Sequence, residues 1–172
     1  MDYLARKISR AKWDPTLYTE MDDIRADAIT GPCLRTYGDA LSLWRCHHDK
    51  MDVAEVVLAL ASAPDMEKLD SIDIVLIYEG FLPANHLQFE ATPQNAKTLV
   101  EDLRARHVDV INLTMTKIVK LATEMARNVR SNSTFYRFTK SQVRDLLLFA
   151  LKSGRLSLND LKEKLQQELK SK

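Results

Sequence analysis

The chain has 172 residues, 45% of them hydrophobic and 28% charged, with a net charge of +1, which suits one water-soluble globular domain. Four glycines and five prolines are too few for disordered or collagen-like sequence, and two cysteines cannot make a disulfide framework. No apolar run approaches the roughly 20 residues of a membrane-spanning helix, and the N-terminal MDYLARKISRAKW lacks a hydrophobic leader core, so a reducing, cytoplasmic location is expected.

In chain order, Leu4 to Trp13 alternates weakly, with Leu4, Arg6, Ile8 and Arg10 on one side, and reads as an edge strand. Asp14-Pro15 breaks it, and Asp22-Asp23 falls in a loop. Ala26 to Thr30 is expected to be a short strand, Tyr37-Gly38-Asp39 a turn, and Ala40 to Cys46 the next strand. Met51 to Ala63 is a helix, because Val53, Val56, Val57 and Leu60 follow the i, i+3, i+4, i+7 spacing. Asp52 and Glu55 have capping-box spacing, and Pro64 ends the helix. Ser71 to Tyr78 is apolar and β-branched, as in a central strand covered on both faces, and His86 to Glu90 is a further strand. Strand, helix, strand over 40–78 suggests a βαβ unit, with a right-handed crossover if parallel.

Thr92 as cap with Pro93 at the first helical position announces a helix to about Arg106. His107 to Leu113 fits either helix or strand. A helix over Met115 to Val129 places Ile118, Leu121, Ala122, Met125 and Val129 on one face, and Ser131-Asn132-Ser133 interrupts. Thr139 with Gln142 is a capping box for a helix through Leu151. Gly154 closes it, and Ser157 with Asp160 opens a last helix to about Lys170. The expected fold is α+β: a small mixed β-sheet with a βαβ unit in 1–92 and a helical half over 93–172, together one compact domain.

Cys46-His47-His48-Asp49 gathers metal-binding and nucleophilic residue types. On an extended strand these residues alternate between faces, so four in succession do not converge on one tetrahedral ion, and zinc ligands are normally separated by two to four residues. Neither a metal nor a cofactor is expected there. Asp49 suits a structural role just ahead of the helix near Met51.

The small net charge hides a division: residues 1–92 carry 9 Lys+Arg against 16 Asp+Glu, and residues 93–172 carry 16 against 8. Such a division suggests an acidic partner for the basic half, or contact between the halves. Lys117, Lys120, Arg127 and Arg130 span an arc of about 140° at about 100° per helical residue, opposite the apolar face. With Arg137 and Lys140 they are the candidate binding residues. Phe135, Tyr136 and Phe138 beside them are possible stacking groups for nucleic acid. The expected function is therefore non-catalytic binding of a macromolecule, first a protein partner or another copy, second nucleic acid through the same surface, with no membrane involved.

An enzymatic alternative rests on Arg10, on Ser42 within Leu-Ser-Leu-Trp, and on Gln88-Phe89-Glu90. In that order they resemble the R-S-E arrangement of mono-ADP-ribosyltransferases. The resemblance implies Arg10 on NAD, Ser42 at the nicotinamide pocket, Glu90 beside the cationic transition state and Gln88 at the acceptor. The family's Ser-Thr-Ser is here a single serine between leucines.

Overall fold

The computed structural model describes residues 2–13, 24 and 26–171. The break at Asp14-Pro15 and the loop at Asp22-Asp23 lie outside the described residues. Among these residues six strands form one sheet: β1 Tyr3–Ile8, β2 Leu41–Cys46, β3 Ile72–Tyr78, β4 Gln88–Ala91, β5 His107–Ile111 and β6 Phe135–Phe138. Seven α-helical segments accompany it among the same residues: α1 Arg10–Trp13, α2 Ala26–Thr30, α3 Lys50–Ala61, α4 Phe81–Ala84, α5 Met115–Ser131, α6 Lys140–Lys152 and α7 Glu163–Lys170. The class is α+β, as expected.

The strand order is β4-β5-β2-β1-β3-β6, and every neighbouring pair is antiparallel, so the sheet is not mixed. β2 and β3 both run opposite to β1, which lies between them, and are therefore parallel to each other. The βαβ unit exists in split form, with α3 carrying the chain past β1. Strands β5 and β6 come from the second half of the chain, so that half is not purely helical and both halves build one sheet.

Alternation along the strands separates two apolar cores. Ala5, Trp44, Cys46, Ile74 and Leu76 face α3, α6 and α7, where they meet Val56, Leu147 and Leu165. Leu4, Leu43, Val75, Ile77, Val108 and Val110 face the other way, onto Leu121, Ala122 and Met125 of α5. Short α1, α2 and α4 add Trp13, Ala28 and Leu82 to the second core. β3 is buried from Ile72 to Ile77, as its apolar run requires.

β1 is a central strand and not an edge. Its alternation is weak because Arg6, which reads as a solvent residue, lies inside the structure. The guanidinium donates to three backbone carbonyls, Cys33 O (2.7 Å), Ser42 O (2.7 Å) and Pro32 O (3.2 Å). Ala26–Thr30 is a helical turn and not a strand, with Ala28 buried against the second core.

The caps explain where the longer helices begin. Asp49, not Asp52, caps α3, accepting from the amides of Met51 and Asp52. Asp52 accepts from the His47 amide and pairs with Arg106 at 2.7 Å. The Thr139–Gln142 capping box opens α6, and Gly154 follows the helix with φ +75, a conformation that disfavours other residues.

Two expected helices are shorter than their patterns imply. Thr92-Pro93 starts only a 3₁₀ turn over Pro93–Asn95, because the Thr92 side chain meets His107 Nδ1 instead of a helix amide. Thr98 Oγ1 then lies 2.9 Å from Ser62 Oγ, and the Leu99 amide donates to Ser62 O. These bonds tie 96–100 to the end of α3 before a second 3₁₀ turn over Glu101–Arg106. Likewise Ser157 makes no side-chain cap; a 3₁₀ turn over Leu158–Asp160 precedes α7.

Ion pairs among the described residues that join a carboxylate from 1–92 to a cation from 93–172 include Asp52–Arg106, Asp73–Arg137, Glu55–Arg155 and Glu67–Lys164. Part of the charge division thus holds the two halves together. No helix among the described residues is long and apolar enough to cross a membrane.

Candidate functional site

Helix α5 starts at Thr114, whose side chain accepts from the Lys117 amide, and turns Leu121, Ala122, Met125, Ala126 and Val129 inward. That fixes Lys120 and Arg127 outward, both exposed, with Lys117 and Arg130 half-exposed beside them. Lys117 Nζ donates to Asn112 O at 2.8 Å, and Arg127 pairs with Glu124 along the helix. Val119 flanks that side and is 43% exposed, while Met115, 69% exposed, opens the helix at its first turn. Arg137 and Lys140 lie elsewhere. Arg137 sits on edge strand β6 against Asp73 at 3.8 Å, and Lys140 pairs with Glu168 of α7 at 2.9 Å.

The neighbouring aromatics are occupied with packing. Phe138 is buried in the first core, and Phe135 packs against the second beneath the Arg10 guanidinium, 5.3 Å from its ring centroid. Tyr136 packs against the first core and meets the His48 ring edge-on at 6.0 Å.

Cys46, His47, His48 and Asp49 diverge. The Cys46 thiol is buried, and burial, with Asp52 nearby, pushes its pKa up to about 12. His48 packs on Tyr3 and Tyr136 with Nε2 2.7 Å from Ser133 O, while His47 is exposed and Asp49 caps α3. Among the described residues no group of three His, Cys, Asp or Glu side chains gathers to hold a metal. A thiol-directed reagent such as DTNB should leave Cys46 unmodified in the native state and label it only as the protein unfolds; rapid native labelling would contradict its burial.

The residues matched to the transferase pattern do not come together. The Arg10 amide donates to Asp73 and its side chain covers Phe135, on the β3–β6 side. Ser42 lies across the sheet on β2. Gln88 and Glu90 are exposed on edge strand β4, where Glu90 is opposite Asp109, and Asp109 in turn is opposite Ser42. The arginine that touches the Ser42 backbone is Arg6.

Around Ser42 a polar cluster interrupts the apolar sheet. Ser42 Oγ donates to Asp109 Oδ1 and Asn95 Nδ2 donates to Asp109 Oδ2, each at 2.8 Å. Burial works to raise the Asp109 pKa, but the bonds from Asn95, Ser42 and Thr92 outweigh it and hold the carboxyl below its ordinary value. His107 Nδ1 lies 3.0 Å from the Thr92 carbonyl, which can only accept, so Nδ1 carries the proton. Burial lowers the His107 pKa below its ordinary value, against the opposing pull of Asp109, and the ring lies edge-on to Trp44 at 5.1 Å. Burial also draws the Arg6 pKa down to about 10, which leaves it protonated at neutral pH.

Above this cluster two adjoining depressions of about 430 and 610 Å³ share Arg6, Ser42, Asn95 and Lys97 in their walls. Of this cluster the sequence singled out Ser42 alone, through the transferase pattern; Arg6 lay in a segment read as an edge strand, and Asp109 and Asn95 stood in segments whose structure was open or misassigned. No protein-family model matches the chain, and comparison with curated proteins and with solved structures finds no match.

Proposed function

We propose that the chain is a non-catalytic binding module, acting in the cytoplasm, that docks an acidic protein segment on the outward face of α5. One observation carries the reading: Lys117, Lys120 and Arg127 stand together on one helix face, and among the described residues none of them pairs with a carboxylate of the first half, as Arg106, Arg137, Arg155 and Lys164 do. Val119, exposed at the edge of their face, adds an apolar contact that suits a protein partner. The packed state of Phe135, Tyr136 and Phe138 weighs against nucleic acid, since single-strand binding draws on aromatic rings free to stack.

A glutamate-rich peptide titrated into the full chain should bind at low salt and weaken as screening increases. Lys120→Glu with Arg127→Glu should weaken it at least about tenfold, or about 1.4 kcal/mol. Equal affinity for the doubly substituted chain would overturn the assignment to α5, and tighter binding of a single-stranded oligonucleotide than of the peptide would replace the partner class.

A further inference from the structure

The cleft over Ser42 and Asp109 faces away from α5, because Leu43, Val108 and Val110, which alternate with those residues, are the ones packed in the α5 core. It is a separate feature. Although built largely by the acidic half of the sequence, its walls carry Arg6, Lys7, Arg35 and Lys97 against, among the described residues, Asp65 and Asp109. Arg6 is committed to backbone carbonyls, and Asp109 to Ser42 and Asn95. The groups offered outward are therefore Lys7, Arg35 and Lys97, all exposed and none with an acidic partner among the described residues.

These groups lie in sequence along the cleft. One depression is walled by Arg35 and Tyr37, the other by Lys7, and Lys97 with Asn95 borders both. Tyr37 is 94% exposed yet held on a stiff turn, where its N–H and C=O bond Ala40 across Gly38 and Asp39, both at positive φ. An exposed aromatic side chain thus stands beside Arg35 in one depression, Lys7 borders the other, and Lys97 borders both. The volumes fall within the roughly 300–1,000 Å³ of small-molecule sites.

We infer that this cleft binds a nucleoside polyphosphate, its base stacked on Tyr37 and its phosphates running past Lys97 toward Lys7. Stacking is indifferent to which base is present, and phosphate oxygens meet lysine and arginine by charge-assisted hydrogen bonds. The polar floor presents Ser42 and Asn95 at the position between ring and phosphates, where a ribose would lie.

The test is calorimetric titration of the full chain with ATP, GTP, adenosine and inorganic triphosphate. ATP and GTP should bind saturably with one site, more tightly than either adenosine or triphosphate. Arg35→Glu with Lys97→Glu should weaken ATP at least tenfold, and Tyr37→Ala should weaken ATP while leaving triphosphate unchanged. All three side chains are exposed, so melting temperatures should stay within a few degrees of wild type. Lys120→Glu, on α5, should leave ATP affinity as it was. Absence of saturable nucleotide binding at millimolar concentration would overturn the inference. So would triphosphate binding as tightly as ATP, or an equal loss from Lys120→Glu.

Discussion

Replacing Asp109 with alanine is expected to lower the unfolding free energy by about 1.5–3 kcal/mol, the range for hydrogen bonds to a charged group. The carboxylate accepts from Ser42 and Asn95, and its charge also favours the buried Arg6 guanidinium. Alanine leaves two polar groups without their acceptor and Arg6 without its nearby counter-charge. Urea unfolding followed by circular dichroism measures the difference; a loss below about 1 kcal/mol would mean that water replaces the carboxylate. The pH dependence follows from the direction of the shift. The folded pKa is depressed below the unfolded value, so the contribution of Asp109 is fully present above about pH 5 and is lost as pH falls through the folded pKa. The gap between wild type and Asp109→Ala should therefore narrow on acidification below about pH 4.

Two adjacent residues of α5 should behave in opposite ways. Leu121 is fully buried against the sheet, and Leu121→Ala removes its apolar contacts and leaves a cavity, for a loss of about 2–5 kcal/mol. Lys120 is exposed on the other side of the helix, and Lys120→Glu should change stability by no more than about 0.5 kcal/mol. Thermal or chemical unfolding of the two variants distinguishes this helix orientation from one rotated to bury the lysine.

That orientation was legible in the sequence, as were β3, the Thr139–Gln142 cap and the strand before Asp49, because in each case local pattern and tertiary environment agree. β1 was misread as an edge because Arg6 occupies an inward position, and no periodicity distinguishes a guanidinium satisfied by three carbonyls from a solvated one. The Thr92-Pro93 signal was real but incomplete: a tertiary bond to His107 took the side chain that would have capped a helix. β6 is four residues long, and Phe-Tyr-Arg-Phe carries too little alternation to announce a strand. Of the candidate site residues, the four on α5 were placed by helical spacing. Arg137 and Lys140 were grouped with them by proximity in sequence, yet they belong to other elements with their own acidic partners. The Ser42–Asp109–Asn95 cluster joins residues 67 and 14 positions apart: the β2–β5 register sets Ser42 opposite Asp109, and the 3₁₀ turn over Pro93–Asn95 brings in Asn95.

The sign and exposure of the α5 face underlie the functional reading, and residue-resolved NMR of the chain titrated with a glutamate-rich peptide tests it most directly. Amide shifts should move along residues 115–131, chiefly near Lys120 and Arg127, and leave the cleft around Asn95 and Lys97 unmoved. Shifts confined to that cleft, or spread evenly over all exposed lysines, would contradict docking on α5.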